Sequence, residues 1–327
     1  MAEYVELAFD RILFHLLRND FSLTNPNVGE PYTTWLYDSD EPMLKAIPIK
    51  GDDIWEMVAR DNEHYLPLLQ KPPLAVSPFT YTAIDLITEK PGTRLLVHIS
   101  MSRDLEEMDR FYDHYFKRTR NVMPVDIDPT IPSQTKAKYM YIIQFFQVNR
   151  LQITNITPSH VCFLDEKGEL LKYPGNKGGA WITLVHEYNK DDNYEKRKKW
   201  MRQLIHFSLF LFSLMNCKNV IIIKNDAPLE VQIKRMKKFG LPFVTYRTIT
   251  IRPILVKSNY KECSHTDSIR RLHICRGNFA RYTEDKPLFG KYAGLFFRPQ
   301  HFRGKLSAGL ATKDYKIEAP LPEGAKK

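Results

Sequence analysis

Between Trp200 and Ile223 the sequence changes period with almost no loop, which restricts the chain to folds that mix helix and sheet. Trp200, Leu204, Phe207, Leu211 and Leu214 recur at helical spacing, with Lys196, Arg197, Lys199 and Arg202 opposite them. Asp191 or Asp192 can cap this helix, and Cys217-Lys218-Asn219 ends it. Val220 to Ile223 then sets four β-branched residues in a row, the pattern of a buried strand. Leu204 to Met215 is apolar almost throughout, but it is too short to span a bilayer and contains His206, Ser208 and Ser213, so it predicts a core helix.

The rest of the chain follows the same mixture. Residues 3–18 place Val5, Leu7, Ala8, Ile12, Leu13, Leu16 and Leu17 near helical period, Thr33 to Tyr37 is strand-like, and Asp52-Asp53 suit the start of a helix. Leu95 to Ile99 predicts a strand, and Ser102 to Glu107 a helix start leading through Tyr112 to Arg120. Tyr139 to Val148 is apolar at nearly every position and fits either buried strand or helix. Val161 to Leu164 and Glu169 to Tyr173 flank Asp165-Glu166-Lys167-Gly168, a loop of hairpin length, and Ala180 to His186 predicts the next strand. A basic segment, Lys234 to Lys238, precedes a long strand from Thr245 to Val256. No internal repeat is present.

At 327 residues the chain exceeds a usual single domain. Pro124 to Pro132 carries three prolines with alternating acids and marks the join. The predicted class is therefore mixed α/β (α+β), with a mainly helical part over 1–123, a linker over 124–132, and a β-rich, basic α/β domain over 133–327. Four scattered cysteines do not make a disulfide framework, and the N-terminus has acids where a signal peptide needs bases, so a cytoplasmic protein is expected.

Net charge is +10, and most of the excess is local: residues 265–316 hold eleven Lys/Arg against four Asp/Glu. Such a patch favours polyanions. Its densest part runs from Ile269 to Gly304, where His273 and His301 are each followed by an Arg-Gly pair, Arg276-Gly277 and Arg303-Gly304. Arg281, Tyr282, Lys286 and Lys291 lie between them, and Lys305 follows. Leu272 to Cys275 and Gly294 to Phe297 are strand-like runs around the turn-prone Thr283 to Pro287; pairing as a hairpin would bring both His-Arg sets to one sheet edge.

Two chemistries suit these residues. Arg276, Arg281, Lys286, Lys291, Arg303 and Lys305 would clamp phosphate in a binding protein. Alternatively, His273 and His301 would act as base and acid of a metal-independent ribonuclease, with Tyr282 stacking or donating a proton. The residues leave both open, and an interface with a host or phage protein as a third. Cys263-x-His265 and His273-x-Cys275 could form a zinc set, but the spacing matches no common knuckle, and the expectation is no metal. No GK[ST] loop and no nucleophile elbow occurs, the Asp126-x-Asp128 pair reads as solvated linker, and no cofactor or membrane anchor is expected.

Arg276-Gly277-Asn278-Phe279, Tyr282-Thr283, Pro287-Leu288-Phe289-Gly290-Lys291, Gly294, Phe296, His301, Arg303-Gly304 and Lys313-Asp314-Tyr315 together form a pattern, with Cys217-Lys218-Asn219-Val220 upstream. It resembles uncharacterised proteins encoded by bacteriophages and prophages, over roughly the last 130 residues. Where those proteins usually read Arg-Gly-His-Phe this chain has Asn278, and losing that imidazole favours binding over catalysis. The resemblance implies a phage or mobile-element origin and a bacterial host cell.

Overall fold

The computed structural model describes residues 45–88, 92–104, 106, 137–148, 153–155, 160–171, 181–183, 194–240, 243–252, 271–303 and 305–310. The chain divides into two compact units, Met1–Ile254 with Phe279–Phe297, and Leu255–Asn278 with Arg298–Lys327. The expected helix over 3–18, the strand at 33–37, the linker at 124–132 and all but the start of the helix expected over 102–120 lie outside the described residues; Ser102 itself closes a strand.

The first unit is built on a nine-stranded mixed sheet. Its strands are β1 (Ile47–Lys50), β2 (Tyr81–Ile87), β3 (Arg94–Ser102), β4 (Tyr139–Val148), β5 (Ile153–Asn155), β6 (His160–Leu164), β7 (Trp181–Thr183), β8 (Val220–Asn225) and β9 (Tyr246–Ile251). They run in the order β7-β6-β4-β3-β2-β1-β9-β8, with β5 beside one end of β4. β1 is parallel to β2, and parallel neighbours need a crossover. Here α1 (Asp52–Arg60) and α2 (Asn62–Gln70) supply it, starting at the acids that suit a helix N-terminus. β3 and β4 pair antiparallel from Arg94↔Val148 to Ser102↔Met140, so one sheet continues on both sides of residues 124–132.

α3 (Tyr194–Met215) is the centre of the core. Lys199 and Arg202 are exposed beside half-buried Trp200, as the amphipathic pattern requires. From Leu204 onward both faces carry apolar side chains, and Leu204, Ile205, Phe207, Leu209, Phe210, Leu211, Phe212 and Leu214 are all fully buried. The second half of the helix is therefore enclosed on all sides rather than striped. Phe207 meets Trp55 of α1 edge-on at 4.9 Å, Phe210 meets Tyr65 of α2 at 6.2 Å, and Phe212 lies 5.5 Å from Tyr141 of β4. Two hydroxyls buried with them have partners: Ser208 donates to the Leu204 carbonyl at 2.8 Å, and Tyr141 Oη donates to Ala75 O at 3.0 Å while accepting Ser77 N–H at 2.6 Å. Burial pushes the Tyr141 phenol and the Cys162 thiol far up and the Cys217 thiol to about 12, so neither cysteine ionises readily.

Two expectations need correction. β8 is not a buried strand: it ends the sheet order among the described residues, and Ile223 is 40% exposed. A β-branched run fits an edge as well as a central strand, and nothing in its composition separates the two. The second strand expected at Glu169–Tyr173 shrinks, within the described residues, to a single Leu164↔Leu170 bridge. The turn before it is as expected. Asp165 Oδ1 accepts the Lys167 and Glu169 amides, and Gly168 sits at φ 73, where a Cβ would meet the Ala75 nitrogen and Leu74 Cα at 3.0 Å.

Candidate functional site

The basic stretch folds into two separate elements. In the first unit β11 (Asn278–Tyr282) pairs with β12 (Gly294–Arg298) as a two-stranded ribbon. In the second, β10 (Arg271–Cys275) pairs with β13 (His301–Arg303) and β14 (Lys305–Leu310). The expected hairpin between residues 272–275 and 294–297 is therefore not the pairing that forms. Asn278 to Tyr282 is an additional strand, and the nearer partner in sequence takes β12. Phe279 secures it by packing 5.0 Å from Phe297.

The ribbon is fixed to the core by its aromatic side and by one side-chain amide. Phe279 and Phe297 lie 5.6 and 5.7 Å from Phe210 of α3. Such pairs are worth about 0.5–1.5 kcal/mol beyond their buried area. Asn219, just after α3, accepts the Phe297 amide at 3.0 Å and donates to the Phe297 carbonyl at 2.7 Å, replacing a strand neighbour for that residue. Its amide also reaches the Arg252 carbonyl at 3.2 Å, and Lys218 N–H donates to Leu295 O at 2.8 Å. Arg281, Lys286 and Lys291 are exposed, and Tyr282 is half-buried with its ring edge-on to Phe296 at 5.8 Å.

The ribbon's turn has its own geometry. Leu288 and Tyr292 form an antiparallel bridge, and Phe289 and Gly290 both adopt positive φ, 54° and 71°. Leu288 is buried, while Phe289 and Tyr292 are about half exposed. Neither ring stood out in the sequence as a site residue, although an aromatic directly before Gly inside a turn is the local signal for it.

In the second unit the register sets His273 opposite Arg303, Ile274 opposite Phe302 and Cys275 opposite His301. Directly opposed residues of antiparallel strands share a face, which puts Cys275 and His301 together by register. On the other side of β10, Lys305 is the register partner of Arg271. Arg276 and His301 are exposed. His301 Nδ1 lies 3.1 Å from the Pro299 carbonyl. A carbonyl can only accept, so Nδ1 carries the proton in this contact and Nε2 is the accepting nitrogen of the neutral ring.

For zinc, Cys263 and His265 lie outside the described residues, and among the described residues no three His, Cys, Asp or Glu are grouped to hold a metal ion. Among those residues no helix is long and apolar enough to cross a membrane. One polar cluster went unnoticed in the sequence. Asp85 is fully buried and pairs with Arg94 Nε, while Arg94 Nη2 also reaches Asp52 Oδ2 at 3.0 Å. Asp52 Oδ1 accepts the Ile87 amide at 2.6 Å, and Lys50 Nζ stands 3.9 Å from Asp52 Oδ2. Burial opposes the Arg94 charge, but the two carboxylates outweigh it and hold its pKa above the ordinary value. Two acids and two bases neutralise one another here, and the cluster joins the start of α1 to β2 and β3; it is a structural tie. No family model, curated protein or solved structure matches this chain.

Proposed function

We propose that this is a phage or mobile-element protein that binds nucleic acid or nucleotide phosphates through the basic elements of its last sixth, in the bacterial cytoplasm during phage–host conflict. The observation that carries the reading is the eleven-to-four excess of Lys/Arg over residues 265–316. In support, Arg276, Arg281, Lys286 and Lys291 are all exposed, so phosphate can approach them without dismantling the core. Arg276 belongs to the second unit and the other three to the ribbon of the first, and each element binds phosphate in its own right.

A second reading, metal-independent ribonuclease, is favoured by the β10–β13 register. Two histidines on neighbouring strands, with Arg303 opposite His273, supply an acid, a base and a cation for phosphodiester cleavage. A third, contact with a host or phage protein in anti-defence or defence triggering, is favoured by α4 (Leu229–Phe239). Leu229, Ile233 and Met236, spaced for one helical stripe, are 74%, 45% and 47% exposed there.

Incubating the full chain with labelled RNA and DNA in EDTA separates the three. Retention without cleavage is the expected result. Cleavage of RNA that His301→Ala abolishes while retention persists would replace the first reading with the ribonuclease. Failure to retain either polymer at low salt would remove nucleic acid as the ligand and favour protein contact.

A further inference from the structure

The turn of the β11–β12 ribbon displays two aromatic rings at a cost in conformation. Phe289 at φ 54° and Gly290 at φ 71° occupy consecutive left-handed positions, which turns of this kind normally fill with Asn-Gly or Gly-Gly. For a bulky side chain that region is sterically disfavoured. The geometry is well defined. Lys291 and Tyr292 N–H donate to Leu288 O at 3.1 and 3.0 Å, Leu288 N–H donates to Tyr292 O at 2.8 Å, and Gly290 N–H donates to Pro287 O at 3.2 Å. Leu288 anchors the turn at 6% exposure, whereas Phe289 and Tyr292 are 52% and 49% exposed. Phe289 thus gains neither full burial nor a favoured backbone from its position. A short polar residue would fold better there.

We propose that Phe289 and Tyr292 form a stacking platform for unpaired nucleobases, so that the ligand of this element is single-stranded nucleic acid. This rests on the phosphate-binding reading and specifies its substrate. Every base offers a flat face to an aromatic ring, and duplex bases are already stacked and shielded from it. Within the turn Glu284 and Asp285 offset Lys286 and Lys291, all four exposed, so net charge does not distinguish the turn; the rings do. Arg281, exposed on β11 of the same ribbon, adds a cation for the backbone of a bound strand.

The test uses the full chain and three labelled probes: an oligothymidylate, an abasic oligomer of equal length, and a duplex of equal length. Phe289→Asn removes the ring but suits the left-handed position, so its melting temperature should equal or exceed that of the parent. Its affinity for oligothymidylate should fall about 10-fold or more, with abasic and duplex binding unchanged. Tyr292→Ser, which leaves the left-handed pair intact, should show the same selective loss. The platform is overturned if the parent binds the abasic oligomer as tightly as oligothymidylate, if neither variant loses affinity, or if both lose it equally on all three probes. Those results leave phosphate binding standing. A parent chain that binds neither these probes nor an oligouridylate of equal length would remove the nucleic-acid reading itself, and the platform with it.

Discussion

His160 shows how one buried side chain sets a pH limit for the whole fold. It lies in β6 with its ring 5.5 Å from Phe145 and Nε2 3.4 Å from Met201 Sδ, and burial lowers its pKa from 6.5 to about 4. The neutral ring is the form the core accepts. Above the unfolded value both states are neutral and stability is complete. As pH falls from about 6.5 towards 4 the unfolded chain takes up the proton first, and roughly 3 kcal/mol is lost over that window. His206, also lowered chiefly by burial, adds loss of the same sign. Urea unfolding at pH 7.5 and 4.5 should therefore show a smaller acid penalty in His160→Phe than in the parent. An identical penalty in both would mean that His160 is not what limits the fold in acid.

Among the elements, the β11–β12 ribbon is held by a residue outside it, Asn219. Asn219→Ala leaves the Phe297 amide and carbonyl without the partners that Asn219 supplies, at a cost of about 2–3 kcal/mol. Hydrogen exchange should then show residues 294–298 losing protection before α3 does; equal protection in parent and variant would contradict the anchoring role. This dependence bears on what could be read in advance. α3 was legible because apolar side chains recur at its period, and the turn at Asp165–Gly168 because its residues fit one local geometry. β11 was not, because its burial rests on Phe210 and Phe297, far away in sequence. Nor was the Asp52–Asp85–Arg94 tie, whose members become neighbours only when α1, β2 and β3 assemble. The cations of the candidate site were legible as composition, but their division between a ribbon and a three-stranded sheet was not.

At the scale of the molecule, the mixed sheet and α3 form a neutral apolar core, and the excess positive charge is concentrated in the last sixth of the chain. Deleting that region would test little, because Leu295, Phe296 and Phe297 belong to the buried interior and their loss would damage the fold itself. Neutralising exposed side chains avoids that difficulty. The most direct measurement is the salt dependence of nucleic-acid affinity for the parent chain and for a variant with Arg276, Arg281, Lys286 and Lys291 each replaced by Gln. The parent should lose affinity steeply as salt rises. In the variant the slope of log K against log salt should flatten by roughly 0.7–0.9 for each phosphate contact removed, with an unchanged melting temperature. Superimposable salt curves for the two proteins, or parent binding that does not respond to salt, would contradict the assignment of these cations to a polyanion.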